Sequence, residues 1–125
     1  MNIIIKTIPH QNHRYETVGD WWFNRDGDLE VRVSKMGNWR YESLVALHEL
    51  VEVLLCKHER ISTASVDAFD IAFEKKRNAG NTDEPGDDAK SPYRIQHGIA
   101  TGVERIVAAL LGVDWNKYEA KINSL

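Results

Sequence analysis

The chain has 125 residues, of which 42% are hydrophobic and 28% charged, a formal net charge of −3 and a single cysteine, Cys56. This composition predicts one globular domain, residues 1–125, that buries its own core. One cysteine excludes an internal disulfide and a multi-cysteine zinc cluster, and the slightly acidic balance argues against a nucleic-acid-binding surface. The apolar run after Met1 is too short for a signal peptide or a membrane span, so we expect a cytoplasmic protein without membrane contact.

Strand signals dominate residues 1–37. The β-branched run Ile3 to Ile8 ends at Pro9 and predicts a first strand that is partly buried on both faces. Trp21 to Phe23, a turn around Gly27, and Leu29 to Ser34 predict a β-hairpin, since apolar and polar residues alternate in its second half. Residues 1–37 therefore predict a small antiparallel sheet of two or three strands.

The segment from Ser43 to His58 predicts the central helix, with Asn38 or Ser43 as its N-cap. At about 100° per residue, His48 and Glu52 project into the apolar stripe of this helix. The stripe consists of Leu44, Val45, Leu55 and Cys56. Because an unpaired buried charge costs several kcal/mol, we expect these two side chains to pair with a partner or with a metal ion.

A second helix is predicted from Ser65 to Arg77, after cap candidates at Ser62 and Thr63, and completes the region 38–77. Its predicted buried residues are Val66, Phe69 and Phe73, and its acidic residues, Asp67, Asp70 and Glu74, are expected to be solvated. The region 78–92 contains Asp83, Glu84, Asp87 and Asp88 and almost no apolar residue, which predicts a solvated acidic loop.

The C-terminal region, 93–125, predicts a third helix from Tyr93 to Leu111 and a short final helix after Gly112. Its predicted buried face consists of Ile95, Ile99, Val103, Ile106 and Leu110. His97 and Glu104 stack together at the border of that face. The predicted class is α+β, a small antiparallel sheet packed against three to four helices.

The central helix carries His48-Glu49-Leu50-Val51-Glu52, which resembles the HExxH helix of zincin metallopeptidases. Glu52 stands where that family has its second histidine, and a carboxylate also ligates zinc. The resemblance implies a metal-dependent hydrolase of peptides or proteins, with His48 and Glu52 as zinc ligands and Glu49 as general base. It also implies an edge strand beside the helix that holds extended substrate.

A zinc site of this kind needs a third protein ligand. His97 is the first candidate, because it is on another predicted helix with an apolar face, and Glu104 is a further ligand or an orienting group. His58 is the alternative, although an unbroken helix carries it about 15 Å from His48. The remaining histidines, His10 and His13, flank an irregular segment and are expected to be exposed. Without metal, Glu52 paired with His97 or Arg105 would also satisfy the burial argument.

A second function class remains open. Glu49 and Glu52, followed by Asp67 and Asp70, are similar to the ExxE and ExxD carboxylates of MazG-type nucleotide pyrophosphohydrolases. That resemblance implies Mg²⁺ held against a triphosphate. Two features depart from the family: Asp67 replaces a glutamate, and the strand signals in 1–37 do not fit an all-helical fold.

A third class is a protein without enzymatic activity. The whole chain resembles a small protein family of bacteriophages and prophages, to which we attach no activity. The resemblance implies a location in the cytoplasm of a bacterial host cell. The third class is then a phage-type protein that binds and inhibits a host protein. An aromatic surface would supply the contacts for that partner or close a homodimer. Its residues are Trp21, Trp22, Phe23 and Trp39.

Overall fold

The structure of the protein is a computed structural model that describes residues 1–125. The strands are β1 (Ile3–Ile8), β2 (Gly19–Phe23) and β3 (Leu29–Ser34). The α-helices are α1 (Trp39–His58), α2 (Thr63–Lys75), α3 (Arg94–Leu110) and α4 (Trp115–Asn123), with 3₁₀ turns at His10–Asn12 and Pro85–Asp87. The predicted α+β class, a small sheet packed against helices, is confirmed.

Strand β3 is the central strand of a mixed sheet with the order β1-β3-β2. The predicted hairpin is present, because β2 and β3 are antiparallel with Trp21 opposite Val31. The pairing of β1 differs from the prediction of an antiparallel sheet, since β1 is parallel to β3, with Ile5 beside Val31. The segment after β1 places β2 two strand positions away from β1, and β3 then lies between the two strands. Both β1 and β2 are therefore edge strands.

The core lies between the sheet and α1. Its most buried side chains come from the inner face of β3, from α1 and from α4: Leu29, Val31, Val33, Leu44, Val53, Cys56 and Tyr118. The alternation predicted for β3 is confirmed at its three apolar positions, although Ser34 is also buried. Because α1 packs on β2 and β3, β1 is less buried than the predicted strand that is partly buried on both faces: Ile3 and Ile5 stay about half exposed.

Capping side chains fix where the first two helices begin. The Asn38 side chain accepts hydrogen bonds from the backbone N–H groups of Arg40 and Tyr41, so α1 starts at the first of its two predicted caps. Ser62 accepts from the N–H of Ser65 and caps α2. None of the helices combines the length and hydrophobicity that a membrane crossing requires.

The face of α3 that packs against the core is opposite to the predicted one. Its buried residues are His97, Ala100, Glu104 and Ala108, whereas Ile95, Ile99, Ile106 and Leu110 are 49–83% exposed. The prediction of an isoleucine-rich buried face is wrong because α3 packs on α1 at the polar pair His48 and Glu52. Buried ionisable groups need hydrogen-bond partners, and only the polar face of α3 offers them. The two alanines leave room for close packing.

Candidate metal centre

Three side-chain atoms converge between α1 and α3. They belong to His48 and Glu52, one helical turn apart on α1, and to His97 on α3. His48 Nε2 lies 3.2 Å from Glu52 Oε2 and 3.2 Å from His97 Nδ1. Glu52 Oε2 and His97 Nδ1 are 2.9 Å apart. All three side chains are buried. The three atoms form a group that could hold a single metal ion.

A carboxylate lies on the outer side of each imidazole. His48 Nδ1 is 2.8 Å from Glu104 Oε1, and His97 Nε2 is 2.8 Å from Glu84 Oε2. A carboxylate only accepts hydrogen bonds, so each outer nitrogen carries the hydrogen. In a neutral imidazole the inner nitrogen then presents its lone pair to the centre. In that neutral state the two inner nitrogens and Glu52 Oε2 are three electron-pair donors that point to one place. When the imidazoles are protonated, their inner N–H groups donate to Glu52 Oε2 instead.

Two further side chains complete the hydrogen bonds of these carboxylates. The Tyr118 hydroxyl donates to Glu104 Oε2 at 2.6 Å, and the Trp21 indole N–H donates to Glu52 Oε1 at 3.0 Å. Each carboxylate thus offers one oxygen to the site and one to the surrounding core. The arrangement fixes the orientation of every group at the centre.

The charges around the centre shift its pKa values strongly. Burial lowers the pKa of His48, but hydrogen bonds to Glu104 and Glu52 outweigh this effect and raise it to about 11. Burial also lowers the pKa of His97, and hydrogen bonds to Glu52 and Glu84 raise it to about 10. Burial raises the pKa of Glu52, whereas hydrogen bonds from both imidazoles lower it to about 2. The centre therefore favours positive charge, either as protons or as a cation.

Glu49 lines the cavity beside this centre. It is the residue after His48 on α1, and its carboxylate packs against Gly19 of β2 so closely that a Cβ on that glycine would lie 2.5 Å from Oε1. Burial raises the pKa of Glu49, and the negative charge of Glu52 adds to the increase. A carboxyl whose pKa is raised in this way binds a proton more tightly than a solvated one, which is the property that a general base needs.

Most of the acidic loop is exposed, as predicted, but the loop also takes part in the site. The Arg77 guanidinium donates to the backbone carbonyls of Asn81 at 2.6 Å and Asp83 at 2.7 Å, which brings Glu84 to His97. Gly86 packs on the His97 ring, and a Cβ at this position would collide with it. Glu84, Asp87 and His97 Nε2 form a second group that could hold a metal ion, with both carboxylates exposed.

The cavity next to the centre has a volume of about 300 Å³. The edge strand β2 forms one wall, and α1, α2 and the acidic loop form the others. Most of its charged lining residues are acidic: Glu16, Asp20, Glu49, Glu52, Asp67, Asp70, Glu74, Asp83, Glu84 and Glu104. Arg77 is the cation among the lining residues that is charged at every ordinary pH.

Asp70 was expected to be solvated but is buried at the cavity wall. Its carboxyl accepts hydrogen bonds from the hydroxyls of Tyr93 at 2.5 Å and Tyr15 at 3.3 Å. Burial raises the pKa of Asp70 to about 7, the charge of Glu52 contributes, and the two tyrosine hydrogen bonds oppose the increase. This carboxyl is thus protonated over part of the physiological range.

The structure brings three of the candidate ligands together and separates the others. Glu104 lies behind His48 and holds its ring, so it acts as an orienting group. His58 is exposed at the end of α1. His10 and His13 are half-buried, contrary to the prediction, because both imidazoles hydrogen-bond to Ser34 Oγ, at 2.8 and 2.9 Å.

Glu84, Tyr118 and Trp21 were missed by sequence reasoning. The run of acids in 78–92 was the signal that could have pointed to Glu84. The other two are distant in sequence from the groups they contact, and no local pattern connects them.

The groups invoked by the alternative predictions have other partners. Arg105 stacks over Trp115 and does not pair with Glu52. Asp67 forms a salt bridge with Arg14 at 3.0 Å, although it lines the same cavity as Glu49, Glu52 and Asp70. Of the aromatic residues, Trp21 is buried, Trp22 lies under Arg14 and Arg32, Phe23 lies under Lys57, and Trp39 is exposed.

A comparison of the chain with known protein families, with curated proteins and with solved structures found no match in any of them.

Proposed function

We propose that the protein is a zinc-dependent hydrolase of the zincin type, with His48, Glu52 and His97 as ligands. The observation that carries the proposal is the convergence of three electron-pair donors whose orientation is fixed from outside by Glu84 and Glu104. In a tetrahedral zinc site with ligands at about 2.0–2.1 Å, the ligand atoms lie about 3.3 Å from each other. The separations of 2.9–3.2 Å are close to that value.

Zinc bound there would act as a Lewis acid, polarising a carbonyl and making water acidic enough to ionise near neutral pH. The chain supplies the other parts of the reaction. Glu49 accepts the proton of the attacking water and passes it to the leaving amine. Burial raises the pKa of Glu49, and the charges of Glu52 and Asp20 add to the increase, so the carboxyl holds the proton between the two transfers.

A peptide or protein substrate is supported by strand β2. It is an edge strand, it borders the cavity, and it lies beside the helix that carries Glu49. An extended peptide that adds to such an edge gains backbone hydrogen bonds and places one peptide bond next to the centre.

The test begins with the zinc content of the purified protein, measured by inductively coupled plasma mass spectrometry. We expect about one zinc per chain in the native protein, as a mononuclear site requires. His97→Ala should lose the zinc because one of the three donors is gone. His58→Ala is the matched control and should keep it, since this histidine is exposed and distant from the centre. A native protein that takes up no transition metal contradicts the proposal.

The same preparations then separate binding from hydrolysis. Glu49→Gln should keep its zinc and lower kcat on an unstructured peptide mixture by about 10²–10⁴-fold, the usual contribution of a general base. Glu59→Gln, at an exposed glutamate on the same helix end as His58, should change neither quantity. If Glu49→Gln retains the native kcat, Glu49 is not the base.

A further inference from the structure

The outer face of α3 carries an apolar stripe that nothing in the chain covers. Ile95, Ile99, Ile106 and Leu110 are 71, 49, 64 and 83% exposed. At about 100° per residue they lie within about 60° of one another, directly opposite the face with His97 and Glu104. The stripe extends along almost the whole of this 17-residue helix, about 25 Å. A soluble protein seldom exposes so continuous an apolar surface unless it binds a partner.

The spacing of the stripe is symmetric in sequence. Ile95 and Leu110 are equally far from the midpoint between Gly102 and Val103, and so are Ile99 and Ile106. An interface with two-fold symmetry requires that when residue i contacts residue j, residue j also contacts residue i. Two copies of α3 placed antiparallel around this midpoint meet the requirement along the whole stripe. Ile95 then faces Leu110 of the second copy, and Ile99 faces Ile106.

The centre of the stripe allows two helices to approach closely. Gly98 and Gly102 lie along one edge of the stripe, Gly102 next to its midpoint, and a Cβ added to either would meet no atom within 4 Å outside its chain neighbours and its own helix backbone. The packing of a single chain therefore does not explain why these positions lack a side chain. Helix axes approach to about 8 Å only where the contact residues are small.

The charges on α3 are compatible with the antiparallel arrangement. The stripe itself contains no charged residue, and in this register Arg94 and Arg105 lie level with Leu111 and Ala100 of the second copy. No two like charges meet at the same level. The opposed helix dipoles also favour antiparallel over parallel pairing.

We propose that the outer face of α3 is a homodimer interface in which two copies pair antiparallel about Gly102 and Val103. The inner face of the same helix contributes His97 and Glu104 to the candidate centre. Dimerisation would thus hold the site-bearing helix between α1 and the second copy. A standard interface buries about 800 Å² on each partner, and one helical stripe is at the small end of that range. We expect a dissociation constant on the order of micromolar.

Sedimentation equilibrium between about 1 and 500 μM tests the interface, a range that brackets a micromolar constant. The apparent mass of the native protein should rise with concentration towards that of a dimer. Ile106→Glu should stay monomeric, with its dissociation constant raised at least about tenfold, because the substitution places two carboxylates in the interface. Ile71→Glu, at an exposed isoleucine on α2, is the control and should dimerise like the native protein. A native protein that is monomeric throughout, or an Ile106→Glu variant that dimerises normally, overturns the proposal.

Disulfide cross-linking tests the register. Ile99→Cys/Ile106→Cys should form a covalent dimer on mild oxidation, because the two positions face each other. Each single cysteine variant should not, since equivalent positions are about 10 Å apart and a disulfide needs Cα atoms within about 7 Å. The native protein is the control, because its one thiol, Cys56, is buried. Covalent dimers from the single variants would show a parallel pair and refute the antiparallel register.

Discussion

His48 and His97 each lie between the centre and an outer carboxylate. Glu104 holds the first ring and Glu84 the second, both at 2.8 Å. Such a carboxylate orients the imidazole and makes its inner nitrogen a stronger electron-pair donor to a metal ion. The two carboxylates differ in setting, because Glu104 is buried and shared with Tyr118, whereas Glu84 is on the loop surface. Glu84 can therefore be altered with little risk to the core.

Glu84→Gln should weaken zinc binding about 10–100-fold, the usual effect of losing an orienting carboxylate, while circular dichroism stays native. Competition with a chromophoric zinc chelator measures the affinity. Asp83→Asn is the matched control, since it removes a charge from the adjacent exposed residue, whose side chain does not contact His97. If the two variants weaken zinc binding equally, the loss of a negative charge from the loop explains the effect, and Glu84 has no orienting role.

A side chain two residues after the end of α2 holds the segment between α2 and α3 in its conformation. Arg77 is held by Glu74 through two hydrogen bonds of 2.8 Å and donates to the carbonyls of Asn81 and Asp83. These bonds hold the chain against the N-terminal turn of α3, where Glu84 reaches His97. Gly86 then packs on His97, where a larger residue would collide with the ring.

Arg77→Ala should release this segment. Each hydrogen bond contributes about 1 kcal/mol to local stability, so amide exchange over residues 81–87 should accelerate at least about tenfold. Zinc affinity should fall as well, because Glu84 is no longer held against His97. Lys76→Ala is the control, since it removes a neighbouring cation that makes no such contacts. Hydrogen exchange followed by mass spectrometry makes the comparison, and unchanged exchange in Arg77→Ala would mean that the loop is held by other contacts.

The stability of the molecule as a whole should depend on pH through Asp70. Its pKa is raised from 3.8 to about 7 in the folded state, chiefly by burial. A raised carboxyl pKa means that the folded protein binds the proton more tightly than the unfolded chain. This contribution to stability is fully present below about pH 3.8 and is lost as pH rises through about 7.

Asp70→Asn should therefore be less pH-dependent than the native protein. Between pH 5 and 7 the native free energy of unfolding should fall relative to the variant by at most about 1.4 kcal/mol per pH unit. Urea unfolding in the presence of a chelator measures this difference without metal binding. His48 and His97, whose raised pKa values act with the same sign at higher pH, are common to both proteins and cancel in the comparison. If the free energy of unfolding changes equally with pH in both proteins between pH 5 and 7, Asp70 does not titrate in this window.

Local periodicity and capping were sufficient to predict much of this molecule. They located α1, with Asn38 as one of two candidate caps, the β2–β3 hairpin, and the inward direction of His48 and Glu52. These features depend on residues within one or two helical turns or on one strand. The physical rules that connect such neighbours act over a few residues, so they can be applied without the rest of the fold.

The remaining features depend on contacts between distant segments. Periodicity ranks the faces of α3 by hydrophobicity and so selected the isoleucines, yet α3 turns His97 and Glu104 inward because α1 presents ionisable groups there. The parallel pairing of β1, the contact of Glu84 with His97, and the burial of Asp70 have the same origin. A buried polar group is satisfied by whichever partner the fold brings to it, and that partner is not visible in the local pattern.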